Sequence, residues 1–184
     1  MKKTSRGLVD YVKSMIGMPY VCGTYGKTGS RDILELKRRQ YPEQFSEDYN
    51  YILEHWEVFN NKPWHDAPGL IKGYYWQNER GSIVYKLDAR ADLSAGGLFR
   101  ASDKNGPISE MPNVPGLLVY YPGHIGVYVG NGEVVEAADV KKGIICSSLS
   151  ERPFTHWCRC PYITYGRSKK ESEPKLLPGR YIIS

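Results

Sequence analysis

Two short segments carry the residues whose types and spacing could do chemistry. The first is Pro63-Trp64-His65-Asp66-Ala67-Pro68-Gly69-Leu70-Ile71 and the second is Pro122-Gly123-His124-Ile125-Gly126-Val127-Tyr128-Val129-Gly130-Asn131-Gly132. In the first, Asp66 can cap a helix and Pro68 is tolerated in the first helical turn, where its missing N–H costs nothing. In the second, His124 opens an apolar strand that ends in a Gly-Asn-Gly hairpin turn. An imidazole there could act as a base near neutral pH. Taken alone, a histidine before a strand reads more readily as a loop or packing residue. A rival constellation is His156-x-Cys158-x-Cys160. Strand alternation puts all three on one face, which with Cys146 could hold zinc; small cysteines filling a strand core are the plainer explanation, and no metal is expected.

Together the segments resemble the NlpC superfamily of papain-like cell-wall peptidases. There a short helix begins Asp-Cys-small-Gly-Leu, with the cysteine as nucleophile, and a Gly-His-(Ile/Val)-Gly-(Ile/Val)-Tyr strand supplies the base. An upstream Gly17-Met18-Pro19-Tyr20-Val21-Cys22-Gly23 also matches, and the motifs fall in family order over roughly residues 4–165. The resemblance implies three roles: position 67 for the nucleophile, His124 as general base and then acid, and Glu136, twelve positions after the histidine, to orient it. It also implies a cleft lined by Tyr20, with Trp64, His65 and Asp66 beside the substrate.

One position departs. Where the family has cysteine this chain has Ala67. A thiol at a helix start facing a histidine would have its pKa lowered, giving a thiolate for acyl transfer; alanine offers no such atom. A deliberate Cys→Ala replacement and a natural non-catalytic binder of wall peptides both account for it, and the retained His124 favours the former. Strand arithmetic also opposes Glu136. A plain two-residue turn at Asn131-Gly132 pairs it with Val127 and puts it on the face opposite His124, so a bulge would be needed.

The elements that must position these groups read as helices first and strands second, an α+β domain. Helices are expected at residues 4–16, 31–40, from a Ser46 cap through Phe59, and 67–76. Strands are expected at 117–121, 125–129, 133–137, 143–146 and 155–160. Insertions fall at about 27–62 and 77–115, the latter reading as irregular and bordering the substrate groove. Residues 1–165 are expected to form the domain. Residues 166–184 read as a linker and the start of a truncated wall-binding module.

Composition agrees. The 184 residues are 41% hydrophobic and 24% charged, enough for one core, with a net charge of +5 and fifteen tyrosines. That mild charge argues against nucleic acid and suits an anionic wall polymer. No apolar run is long enough to span a bilayer, and charges interrupt the first apolar stretch, so no signal peptide is read. The expectation is a monomer without cofactors acting on peptidoglycan or muropeptides. It would be made in the cytoplasm and reach the wall after release or export, as a phage or prophage endolysin does.

Overall fold

The computed structural model describes residues 2–166. The expected tether and truncated module at 167–184 lie outside the described residues. Among the described residues no helix is long and apolar enough to cross a membrane.

The first helix, α1 (Ser5–Ser14), starts where Thr4 accepts the Gly7 N–H at 3.1 Å. Leu8 and Val12, four apart, fall on one face and are fully buried. Each such side chain contributes roughly 1.5–3 kcal/mol of hydrophobic stabilisation. After β1 (Tyr25–Thr28), α2 (Arg31–Gln40) begins where the Ser30 hydroxyl accepts the Ile33 N–H. The third helix departs from expectation. It begins at Phe45 and breaks at His55, giving α3 (Phe45–Glu54) and α4 (Trp56–Phe59). Ser46 does not cap it: its hydroxyl donates to the Glu43 carbonyl from inside the first turn, because Phe45 is the residue drawn into the interior. Leu34, Phe45, Ile52, Phe59 and Trp64 form a small core of their own with Val21 and Val140.

Next come β2 (Pro63–His65), antiparallel to β1, and α5 (Ala67–Tyr75). The insertion at 77–115, expected to be irregular, contains α6 (Ala95–Arg100) and a short strand, β3 (Asn105–Pro107). Small Gly-rich segments carry weak periodicity, which hides both elements from pattern reading.

The remaining strands are β4 (Leu118–Tyr121), β5 (His124–Gly130), β6 (Glu133–Asp139), β7 (Gly143–Ser148) and β8 (His156–Cys158). With β3 they form a six-stranded sheet in the order β3-β8-β4-β5-β6-β7, every neighbour antiparallel. This is the expected α+β arrangement. Helices α1 and α5 cover one sheet face, sharing a core with Leu118, Ile125, Val127, Val135 and Ala137. The other face carries Leu117, Val119, Tyr128, Val134, Phe154 and Trp157.

That strand order corrects the zinc alternative. Cys146 lies on β7, at the far edge from β8, with three strands between them. Cys158 and Cys160 are buried in the helix-side core. Among the described residues no group of histidines, cysteines and carboxylates could hold a metal ion.

Candidate active site

The site is built on the β5–β6 hairpin. Asn131 and Gly132 both have positive φ, as a tight two-residue hairpin turn demands. Gly130 pairs with Glu133, but Tyr128 pairs with Val134 and Val127 with Val135. Two steps along β5 therefore match one step along β6, and Val129 is the extra residue of a β-bulge, with Gly130 at φ 99°. This slip brings His124 and Glu136 to the same face. The hairpin arithmetic of the sequence, without the bulge, had set them apart.

His124 Nε2 and Glu136 Oε2 are 2.6 Å apart. A carboxylate only accepts, so Nε2 carries the proton; the neutral ring then has its lone pair on Nδ1. Nδ1 has no hydrogen-bond partner among the described residues. The imidazole is flanked by Tyr121 and Phe154, with centroids at 5.2 and 6.1 Å. These rings limit its rotation.

Glu136 is fully buried and is held by more than the histidine. Ser147 donates its hydroxyl to Oε1 at 2.5 Å, and Arg152 donates Nη2 to Oε2 at 2.9 Å while its Nε lies 2.8 Å from Oε1. Burial alone would raise the Glu136 carboxyl, but the hydrogen bonds from His124, Arg152 and Ser147 outweigh it and hold the pKa at about 2. Arg152 and Ser147 were not singled out in the sequence. Their only signal is a basic residue and a hydroxyl close downstream of the hairpin, which many surfaces share.

The second half of the site is the start of α5. Asp66 accepts the Gly69 N–H at 2.6 Å through Oδ1 and the Gly23 N–H at 2.8 Å through Oδ2. It thus ties the helix start to the Tyr20–Gly23 loop. Gly69 is required by close approach, since a Cβ there would lie 1.8 Å from the Thr24 carbonyl oxygen. Ala67 is the first residue of the helix, 6% exposed. It packs in the helix-side core with Ile125, Val127 and Ala137. What links position 67 to the His124–Glu136 pair is this packing of α5 on β5 and β6, where Ile125 and Ala137 adjoin His124 and Glu136 in the chain, and the imidazole itself stands beside Tyr121 and Phe154.

The expected groove residues divide. Tyr20 is half-buried, packs against both adjoining cores and bridges to His65 through the backbone; burial raises its hydroxyl pKa. Asp66 borders a surface cleft. Trp64 and His65 do not wall a groove, and this corrects the expectation. Trp64 is fully buried, its indole N–H donating to the Phe59 carbonyl at 2.8 Å. His65 is equally buried, its Nε2 sharing a hydrogen bond of 2.8 Å with the Tyr11 hydroxyl. As β2 alternates, one ring fills the insertion core and the other packs beneath α1.

No family model and no curated protein matches the chain. Solved structures do. NlpC1 from Trichomonas vaginalis superposes with a TM-score of 0.50 at 15% identity, over 86% of this chain and 45% of that one. The chain has the NlpC-type fold. The peptidoglycan hydrolase RipB from Mycobacterium tuberculosis gives a TM-score of 0.47 at 20% identity, over 88% of this chain and 67% of that one. RipD from the same organism, described as a non-catalytic NlpC/p60 domain protein adapted to peptidoglycan binding, gives 0.47 at 16% identity, over 86% and 98%. This NlpC-type chain spans less than half the length of the Trichomonas protein.

Proposed function

We propose that the chain is a peptidoglycan-directed domain of the NlpC superfamily. It keeps the frame of a cysteine amidohydrolase for stem peptides but, with Ala67 at the nucleophile position, binds its substrate without cutting it. The observation that carries this reading is the His124–Glu136 hydrogen bond, which in the neutral imidazole leaves the Nδ1 lone pair to act as a base. A side chain kept in that tautomer by a buried, ionised carboxylate is arranged for proton transfer. The NlpC-type fold and the three motifs in family order support the same conclusion.

In an Ala67→Cys form each residue has a task. The thiol would stand at the first position of α5, where the helix dipole favours the thiolate. His124 Nδ1 would take the thiol proton as sulfur bonds to the amide carbon. It would then return that proton to the departing amine as the C–N bond breaks, leaving a thioester. Water, deprotonated by the same nitrogen, would hydrolyse the thioester and restore the thiol. Glu136 would stabilise the imidazolium throughout, without itself becoming protonated.

Purified cell walls test the reading. The chain with Ala67 should sediment with walls and release nothing. The Ala67→Cys form should release muropeptides that mass spectrometry assigns to one amide bond. Failure of the first to bind and of the second to cut would overturn the proposal. Binding without cleavage by the cysteine form would mark the domain as a binder only.

A further inference from the structure

A second feature adjoins the start of α5. A cleft of about 400 Å³ opens between Asp66 and the two insertions, α2 supplying Leu36 and Lys37 and the 77–115 segment supplying Tyr85 and Asp92. Large apolar side chains left in solvent are few here, and three of them line this one cleft: Leu36, Tyr41 and Tyr85, at 45, 38 and 47% exposure. Clustering of exposed apolar surface around a polar floor marks a binding groove more than a solvated face. The rim is built in place. The Tyr41 ring lies against Gly23, where an added Cβ would come within 2.2 Å of it.

Two lysines and two aspartates line the cleft, and one of the two ammoniums is in an ion pair. Lys72 is paired with Asp92 at 2.7 Å, and the other Asp92 oxygen accepts the Tyr85 hydroxyl at 3.0 Å. Both Asp66 oxygens are taken by backbone N–H groups. Lys37 has no ion pair among the described residues: its ammonium donates to the neutral Gln40 amide oxygen at 3.0 Å and otherwise stands 5.7 Å from the Tyr41 ring centroid, with Asp66 and Asp92 acting on it at longer range. An ammonium has three donors. Two of them remain for a ligand.

We propose that this cleft binds a short peptide carrying a free carboxylate, with Lys37 taking the carboxylate and Leu36, Tyr41 and Tyr85 covering its apolar parts. The choice of a stem peptide as occupant rests on the reading above; the preference for a carboxylate rests on Lys37. A lysine suits a carboxylate on a flexible peptide because it acts as a point charge and does not demand a planar geometry. Partial burial, which lowers the Lys37 pKa, reflects an ammonium already short of water and favours exchange of its remaining solvent for an anion.

The test is calorimetric titration of the chain as it stands, which does not consume its ligand. The probes are the tetrapeptide L-Ala-γ-D-Glu-L-Lys-D-Ala and the same peptide with both carboxylates amidated. The acid should bind at least tenfold more tightly than the amide. Lys37→Gln and Lys37→Glu should lose that discrimination, Lys37→Arg should keep it, and Tyr85→Ala should weaken both peptides alike. Lys37 is on a helix surface, so thermal melts of all variants should coincide with the parent. Equal affinity for acid and amide, or unchanged discrimination in Lys37→Gln, overturns the inference. Wall sedimentation separates the two claims. Lys37 variants that still sediment with walls but never distinguished the peptides sink the inference alone. Lys37-dependent peptide binding by a chain that ignores walls sinks the wall reading alone.

Discussion

Gly126 and Glu136 face each other across β5 and β6 so closely that a Cβ at 126 would lie 3.3 Å from the Glu136 Cβ and 2.7 Å from Val134 Cγ1. The missing side chain leaves the lane through which Glu136 reaches His124. Gly126→Ala should therefore cost about 1–3 kcal/mol through overpacking. Urea denaturation should show it as a lower midpoint with an unchanged slope.

Glu136→Gln tests the orienting pair. The amide leaves Arg152 without its counter-charge and can present N–H to the histidine in place of a lone pair. We expect a loss on the order of 2 kcal/mol, less than for a fully buried pair because Arg152 is partly exposed. Nitrogen-15 NMR of His124 should show the proton moving from Nε2 to Nδ1. An unchanged tautomer would mean that the carboxylate does not set it.

Ala67→Cys should yield one new reactive thiol against a quiet background. Burial pushes Cys22 up to about 11 and Cys158 and Cys160 up to about 12, and it raises Cys146 as well. Iodoacetamide at pH 7 should label residue 67 at least tenfold faster than any of these, as mass spectrometry of the digest would show. Comparable labelling of all five would place residue 67 outside the influence of the helix start.

His65 makes the fold sensitive to acid. Burial lowers its pKa from 6.5 to about 3, so between those values the unfolded chain binds the extra proton and stability rises with pH. Glu136 has the same sign, but its window runs from about 4.5 down to about 2. Between pH 5 and 6 the His65 effect stands clear of it. The His65 contribution there should rise by about 1 kcal/mol per pH unit, read as the difference in slope between the parent and His65→Gln, because the raised Asp66 carboxyl acts with the opposite sign in both.

The helix starts and the strand texture were legible because their signals are local. Asp66 caps the helix it was read to cap, α2 spans Arg31–Gln40 as expected, and the apolar runs from Leu117 to Ala137 mark strands buried on both faces of a sheet. The proximity of Glu136 to His124 was legible through the resemblance but not through strand arithmetic, because a bulge at Val129 follows from twist and packing and not from the residues of the turn. Trp64 and His65 were misplaced because an aromatic beside a site and an aromatic beneath it look alike until the burying partners, Phe59 and Tyr11, are in position. The partnership of Arg152 with Glu136 needs the whole β6–β7 hairpin to bring sixteen positions of chain together.

The bulge makes the chemistry of this hairpin depend on parity. If Val129 were paired in a regular ladder instead of bulged out, His124, Glu136, Ser147 and Arg152 would all be present, yet Glu136 would lie opposite Val127 and its carboxylate would turn to the other side of the sheet. A tally of active-site residues would score such a chain as complete. A one-residue slip of register in the strand between the histidine and the turn, where no functional group resides, would have silenced it.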